Sequence, residues 1–150
     1  SGSPRATIQS AINTARAGGA WNGFGLTTLA AQSNPKHNTT LAVLEASEYR
    51  TIYGAGATFS NQSLGANAVL VKYTYYGDTD FSGVVDFDDY SRIDAGFNNN
   101  RTGWLNGDLD GNGIVDFDDY SLIDQAFNTQ GPALLAQPPG SRGMRNVKRV

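Results

Sequence analysis

Residues 108–119 read Asp108-Leu109-Asp110-Gly111-Asn112-Gly113-Ile114-Val115-Asp116-Phe117-Asp118-Asp119. Oxygen-bearing side chains fall at positions 1, 3, 5, 9 and 12 of this stretch, and a glycine stands at position 6. A hard cation such as Ca²⁺ takes about six to eight oxygen ligands at about 2.3–2.6 Å. A tight loop supplies them when every second residue turns inward, and the glycine makes the sharp turn. The spacing therefore predicts a calcium-binding loop.

The same pattern occurs 30 residues earlier, because residues 77–98 align with 107–128 without a gap and 15 of the 22 positions are identical. Such a repeat indicates two copies of one loop–helix unit. The predicted helices run from Phe87 to Phe97 and from Phe117 to Phe127, with apolar residues at spacings of 3, 3 and 4. We predict that the two helices bury these apolar stripes against each other. Trp104, in the linker between the repeats, is expected to lie against the helix pair.

Charge is arranged in blocks along the chain. Residues 1–77 carry five Lys/Arg and two Glu, residues 78–130 carry twelve Asp and two Arg, and residues 131–150 carry four Lys/Arg and no acid. The regular spacing of the Asp residues favours cation loops over a merely solvated acidic surface. The chain contains no cysteine, which excludes disulfides and thiolate metal sites.

Residues 1–76 are predicted to form a small α+β unit. A helix is predicted over 6–17, a second short helix over 27–32, a turn or short strand from Glu48 to Tyr53, and a hairpin-like connection over 54–65. Residues 41–46 and 68–76 are rich in apolar and β-branched residues and predict strands. Because the second strand runs directly into Asp78, we expect this unit to pack on the repeats.

The predicted organisation is thus an N-terminal α+β module (1–76), a tandem repeat (77–130) and a flexible basic tail (131–150). The tail carries Arg142, Arg145, Lys148 and Arg149. We predict a solvated tail and no nucleic-acid partner, the alternative being contact with nucleic acid or an acidic surface. The chain begins Ser1-Gly2-Ser3-Pro4, without Met or a signal peptide, and we expect it to be a piece of a longer polypeptide. No apolar run approaches the roughly 18 residues of a membrane span.

The repeats differ from a true EF-hand, which has a helix before the loop and usually Glu at position 12. Here a strand or loop precedes each site, and position 12 is Asp. This combination resembles the dockerin family, whose duplicated loop–helix units bind calcium without the entering helix. The resemblance is carried by Gly77 to Tyr90 and Gly107 to Tyr120, and the stretch Val71 to Asp78 looks like dockerin-type C-terminal regions of large secreted bacterial proteins.

The resemblance implies two bound Ca²⁺ ions, each with its own ligands. The first set is Asp78, Asp80, Ser82, the backbone oxygen of Val84, Asp86 and Asp89; the second is Asp108, Asp110, Asn112, the backbone oxygen of Ile114, Asp116 and Asp119. Position 9 often acts through water. Ser82 departs from the usual Asp or Asn at position 5, and a hydroxyl is a weaker, neutral ligand. We therefore predict that the second site binds calcium more tightly.

Dockerins are docking modules, so the resemblance implies a secreted or cell-surface protein, monomeric when unbound, that anchors a larger polypeptide to a cohesin-like or surface partner. Positions 10 and 11 help choose the partner, and they are Phe87-Asp88 and Phe117-Asp118 here. The identical pairs imply two binding orientations related by 180°. Many members carry paired Ser/Thr there, so the partner is expected to differ from the familiar type. Two placements remain open for the Phe residues: exposed anchors, or core residues as the helical spacing suggests.

Other functional classes find less support in the sequence. We predict no enzyme, because His37 is a lone loop histidine, Glu45 and Glu48 flank a strand end without a partner base, and no G-x-S-x-G elbow or phosphate loop is present. A carbohydrate-binding module would use aromatic stacking platforms, with Trp21, Trp104, Tyr73, Tyr75 and Tyr76 as candidates. Core packing explains the same aromatics. A purely structural calcium-binding module is a further alternative.

Overall fold

A computed structural model describes residues 2–136 of the chain. The helices are α1 (Arg5–Arg16), α2 (Leu29–Gln32), α3 (Ala46–Tyr53), α4 (Phe87–Asn98) and α5 (Phe117–Thr129). The strands are β1 (Thr39–Glu45), β2 (Thr58–Phe59), β3 (Gln62–Ser63) and β4 (Val69–Tyr75), and short 3₁₀ turns cover Ala17–Gly19 and Trp104–Asn106. The mixture of helix and strand agrees with the predicted α+β class.

The main sheet has two antiparallel strands, β1 and β4, paired from Thr39 opposite Tyr75 to Glu45 opposite Val69. One face of the sheet packs against α1 and the segment after it, where Val43 meets Ile12 and Trp21. The strands β2 and β3 form a separate small hairpin, as predicted for this connection.

The other face of the main sheet packs against the tandem repeat. Leu44 and Leu70 lie in one buried cluster with Ile93 of α4, Ile123 of α5 and Trp104 of the linker. Because both faces of the sheet are covered, its strands alternate between two apolar environments and read as nearly continuous apolar runs. The expected packing of the N-terminal unit on the repeats, and the expected position of Trp104, are both found.

The two repeat helices bury their central apolar residues and pair their ends. Ile93 and Ile123 are fully buried. The ring of Phe97, near the end of α4, stacks on that of Phe117, at the start of α5, with centroids 5.6 Å apart. Phe87, at the start of α4, lies 6.1 Å from Phe127 near the end of α5. The ring pairs join opposite ends of the two helices, which are therefore antiparallel and meet along the predicted stripes.

The prediction of a turn or short strand from Glu48 to Tyr53 was wrong, because this segment belongs to α3. The helix begins with a capping box: the side chain of Glu45 accepts from the backbone N–H of Glu48, and Glu48 Oε1 accepts from the N–H of Glu45 at 2.9 Å. These reciprocal bonds satisfy two donors that a helix start otherwise leaves free. Tyr49 and Tyr53 then meet one turn apart, with ring centroids 4.6 Å apart.

The beginning of the predicted tail is hydrogen-bonded to the rest of the fold, and we call residues 130–134 the C-terminal strap. The hydroxyl of Tyr75 accepts from the N–H of Gly131 and donates to the carbonyl of Pro132, both at 2.9 Å. The N–H of Leu134 donates to the carbonyl of Gly83 in the first loop at 2.9 Å. The strap therefore ties the segment after α5 to β4 and the first loop. The basic residues Arg142, Arg145, Lys148 and Arg149 lie outside the described residues.

Candidate metal centres

The first acidic loop starts where β4 ends, so the strand fixes its position. Gly77 has φ +101°, a left-handed conformation that suits glycine, and it turns the chain from the strand into the loop. Asp78 follows and is fully buried, and its backbone carbonyl accepts a hydrogen bond of 2.8 Å from the indole N–H of Trp104. Residues of the sheet, the loop and the linker thus hold the first candidate ligand together.

Three carboxylates converge in the first loop. Asp78, Asp80 and Asp89 each offer an oxygen, and these oxygens lie within 4.8 Å of one another. The hydroxyl of Ser82 lies 3.3 Å from Asp78 Oδ1 and 3.2 Å from the carbonyl oxygen of Val84. Oxygens from positions 1, 3, 5, 7 and 12 are therefore neighbours, and the carboxylate triad among them is able to hold a metal ion.

The second loop gathers the equivalent triad, Asp108, Asp110 and Asp119, again within 4.8 Å. Asp108 is 5% exposed, and its Oδ2 accepts from the N–H of Gly113 at 2.9 Å. Its Oδ1 is buried and is without a hydrogen-bond partner in the described part of the chain. Leaving a buried acceptor unsatisfied costs about 1–3 kcal/mol, more when the group is charged. A cation between the three carboxylates would supply the missing partner, so the site fits a metal ion.

Positions 9 and 12 of each loop also begin the following helix. Asp89 Oδ2 accepts from the N–H of Asp86, and Asp119 Oδ2 accepts from the N–H of Asp116, both at 2.9 Å. In return Asp86 Oδ1 accepts from the N–H of Asp88, and Asp116 Oδ1 does the same for Asp118. The structure therefore brings positions 1, 3 and 12 into each triad, while the position-9 carboxylates cap the helices beside them.

Two other residues of the predicted second ligand set, Asn112 and Ile114, are exposed. Asn112 Oδ1 accepts from the N–H of Ile114 at 2.9 Å, and its Nδ2 donates to Asp110 Oδ2 at 3.2 Å. The amide of Asn112 is thus next to the triad through Asp110. The side chain of Ile114 is exposed, as expected where only the backbone oxygen is a candidate ligand.

Burial makes the carboxylates of both loops costly to ionise in the metal-free protein. Loss of solvent raises the pKa of Asp89 to about 7 and that of Asp119 to about 6, and the neighbouring carboxylates of Asp80 and Asp110 add to the rise. Burial also raises the pKa of Asp78 and of Asp108. A bound cation would favour the ionised form of all four groups.

Sequence reasoning missed two cations at the first loop. Lys72 Nζ lies 3.4 Å from Asp78 Oδ2 and also donates to the carbonyl of Leu134 in the strap. Arg92 of α4 lies 3.7 Å from Asp80 Oδ2 and 3.9 Å from Asp89 Oδ1. Signals existed for both, since Lys72 is the lone charge in the apolar β4, and Arg92 stands where the second repeat has Leu122.

Phe87 and Phe117, the predicted partner-contacting residues, are on the surface, 78% and 75% exposed. The alternative that they are core residues is wrong. Both open their helices, one step after the capping aspartate, and Asp88 and Asp118 are exposed beside them. Each triad is thus joined through position 12 and the helix cap to an exposed phenylalanine.

The aromatics considered as glycan platforms are core residues. Trp21, Tyr75, Tyr76 and Trp104 are buried, and Tyr73 is half-buried against the cluster under α1. Core packing, the alternative left open above, accounts for them. Glu45 and Glu48 form the α3 capping box.

Comparison of the chain with protein-family models, with curated protein sequences and with solved structures finds no match. Among residues 2–136, no helix has the length and apolar character needed to cross a membrane. What the residues themselves define is a duplicated loop–helix unit with two oxygen-lined centres able to hold metal ions.

Proposed function

We propose that this chain is a non-catalytic docking module of the dockerin type, stabilised by two Ca²⁺ ions, that anchors a larger secreted protein to a cohesin-like or other cell-surface partner. The observation that carries the proposal is the repeated linkage of a buried carboxylate triad to an exposed phenylalanine. In each repeat an ion would link the carboxylates of the loop, the loop caps the helix, and the helix start presents the aromatic ring.

Calcium is the cation that this donor set favours. The triads and their neighbours offer carboxylate, hydroxyl, amide and backbone oxygens, and the chain has no cysteine. Oxygen donors of this kind suit hard cations, and Ca²⁺ tolerates the irregular, flexible geometry of a loop better than Mg²⁺ does. The ions are proposed to be structural, because each would offset two of the three negative charges that a triad holds within a small volume.

The docking surface is proposed to be the face formed by the ends of α4 and α5. Phe117 rests on Phe97, and Phe87 rests on Phe127, so both exposed rings are supported by a second ring. Rigid aromatic anchors surrounded by polar residues are frequent hot spots of protein interfaces. Because Asp88 and Asp118 flank the anchors, a partner with apolar pockets edged by basic residues is favoured.

Two measurements test this proposal. Calorimetric titration of chelator-treated protein is expected to show calcium binding, with a gain of helical circular dichroism as calcium is added. Capture from the envelope of the source organism is expected to retain a protein partner with calcium and to lose it with chelator. The double variant Phe87→Ala/Phe117→Ala is expected to bind calcium normally and capture nothing.

The outcomes separate the alternatives. Calcium binding without any captured partner would reject the docking function and support a purely structural calcium-binding module. Circular dichroism that does not respond to chelator, together with no heat of calcium binding, would overturn the calcium proposal itself. If the double variant still captures the partner, the docking surface does not include Phe87 and Phe117.

A further inference from the structure

The two loops have nearly the same sequence but different electrostatic surroundings. In the first loop every member of the triad has a cation nearby. Lys72 lies 3.4 Å from Asp78, and Arg92 lies 3.7 Å from Asp80 and 3.9 Å from Asp89. Lys72 and Asp78 are both buried, so solvent screens their attraction weakly.

The second loop lacks these cations. The position equivalent to Arg92 is Leu122, and the position equivalent to Lys72, six residues before the loop, is Thr102. Within the described residues no Lys or Arg forms an ion pair with Asp108, Asp110 or Asp119. Arg5 borders the same depression as Asp108, but its ion pair, at 3.8 Å, is with Glu48.

The first loop is also held more extensively by the rest of the protein. Gln130 of the strap bonds both backbone groups of Val85, its Oε1 accepting at 2.8 Å and its Nε2 donating at 2.9 Å. Leu134 adds a bond to Gly83, and its own carbonyl accepts from Lys72. On the second loop, the carbonyl of Gly111 accepts a bond of 2.9 Å from the amide of Asn13 in α1.

We propose that Lys72 and Arg92 are internal counter-cations of the first loop, so that this loop keeps its fold without a bound ion and binds Ca²⁺ weakly, while the second loop takes the first ion and orders with it. This inference rests on the calcium sites of the proposed function. Lys72 and Arg92, within 4 Å of the three carboxylates, offset part of the mutual repulsion of the first triad, and their positive charge opposes the entry of a divalent ion. In the second triad no Lys or Arg among the described residues pairs with the carboxylates. The buried Asp108 Oδ1 also has no hydrogen-bond partner there.

Because the two loops differ in calcium affinity, the two ends of the docking face become ordered at different calcium concentrations. At low calcium the start of α4, with Phe87, remains ordered by the compensated loop. The start of α5, with Phe117, becomes ordered only when the second loop has bound its ion. The tight site therefore governs whether both aromatic anchors are presented together.

Calorimetric titration of the whole chain tests the order of binding. Two steps are expected, separated by about tenfold or more in affinity, because fixed charges at these distances act strongly in a partly buried site. Asp110→Asn is expected to abolish the tight step, and Asp80→Asn the weak one. Arg92→Leu, which installs the residue of the second repeat, is expected to strengthen the weak step by about three- to tenfold.

Two further variants serve as controls. Arg92→Gln removes the same charge without adding an apolar side chain, and it should reproduce the gain. Arg101→Gln removes an exposed charge that forms no ion pair among the described residues, and it should leave both steps within about twofold. Two equal steps, loss of the tight step in Asp80→Asn, or no gain in either Arg92 variant would overturn the inference. Absence of any calcium binding would instead overturn the proposed function.

Hydrogen exchange of the calcium-free protein provides an independent readout. Amides of 78–89 are expected to be protected, and those of 108–119 to exchange rapidly until calcium is added. Equal exchange in the two loops, or global loss of protection without calcium, would contradict the role of Lys72 and Arg92.

Discussion

Replacing Gly107 by alanine should destabilise the protein through two separable effects. Gly107 ends the linker turn and precedes Asp108, with φ +98° and ψ +9°. A Cβ placed there would lie 2.5 Å from Ile93 Cγ1, 2.7 Å from its Cβ and 2.8 Å from its Cα. The last of these atoms belongs to the backbone of α4, which cannot move aside without shifting the helix.

The magnitude follows from the two effects taken separately. A left-handed backbone costs an alanine about 1–2 kcal/mol, and overpacking a filled core costs about 1–3 kcal/mol. Gly107→Ala should therefore lower the free energy of unfolding by about 2–5 kcal/mol. Gly18 has a similar conformation, φ +70° and ψ +12°, with no atom within 4 Å of an added Cβ. Gly18→Ala should show the backbone effect alone, so the two variants should differ by about 1–3 kcal/mol.

Urea unfolding followed by far-UV circular dichroism measures the difference, at one fixed excess of calcium because a bound ion shifts apparent stability. The position equivalent to Gly107 in the first repeat, Gly77, provides a further comparison. An added Cβ there would lie 2.4 Å from Cγ1 and 3.0 Å from Cβ of Ile123, which is fully buried and β-branched and so cannot turn aside. Gly77→Ala should therefore lose about as much stability as Gly107→Ala. A Gly107→Ala protein no less stable than Gly18→Ala would show that the close approach of the linker to α4 is not as described.

Three further predictions concern the core, the surface and pH. Trp104→Phe removes the 2.8 Å bond to the Asp78 carbonyl and should lower stability by about 1–3 kcal/mol, seen as a lower urea midpoint; an unchanged midpoint would contradict it. Phe117→Ala should cost less than about 1 kcal/mol because the ring is mostly exposed, whereas the buried control Ile123→Ala should cost about 2–5 kcal/mol; equal losses would place Phe117 in the core. In chelator, Asp89 has a pKa of about 7 when folded and about 3.9 when unfolded, so the folded state binds more protons in this interval and stability should fall as pH rises from about 4 to 7; urea midpoints that increase over that range would disprove this.

The local part of the architecture was readable from the sequence. The convergence of the carboxylates at loop positions 1, 3 and 12 and the stripes through Ile93 and Ile123 depend on spacings within a few residues, and the structure contains both. The helix α3 was missed because its capping residue is Glu45, whereas Ser, Thr, Asp and Asn are the usual signals. Its reciprocal partner Glu48, three residues on, was the signal that could have indicated a helix.

The remaining features depend on residues far apart in the chain. The strap bonds to Tyr75 and Gly83 join segments about fifty residues apart, and no local pattern predicts such contacts. The helical spacing of apolar residues also did not predict that Phe87 is exposed. A ring on the apolar stripe of a helix is buried only where the partner helix extends far enough to cover it, and Phe87 is the first residue of α4.

The main sheet has a consequence for how the chain is made. Leu44 and Leu70 are covered by Ile93 and Ile123, which come later in the sequence. During synthesis from the amino terminus, both strands are made before either covering helix. The nascent chain must therefore carry an uncovered apolar surface for about fifty further residues, equal to a few seconds at about 5–20 residues per second. In that interval, aggregation and chaperone capture compete with completion of the fold.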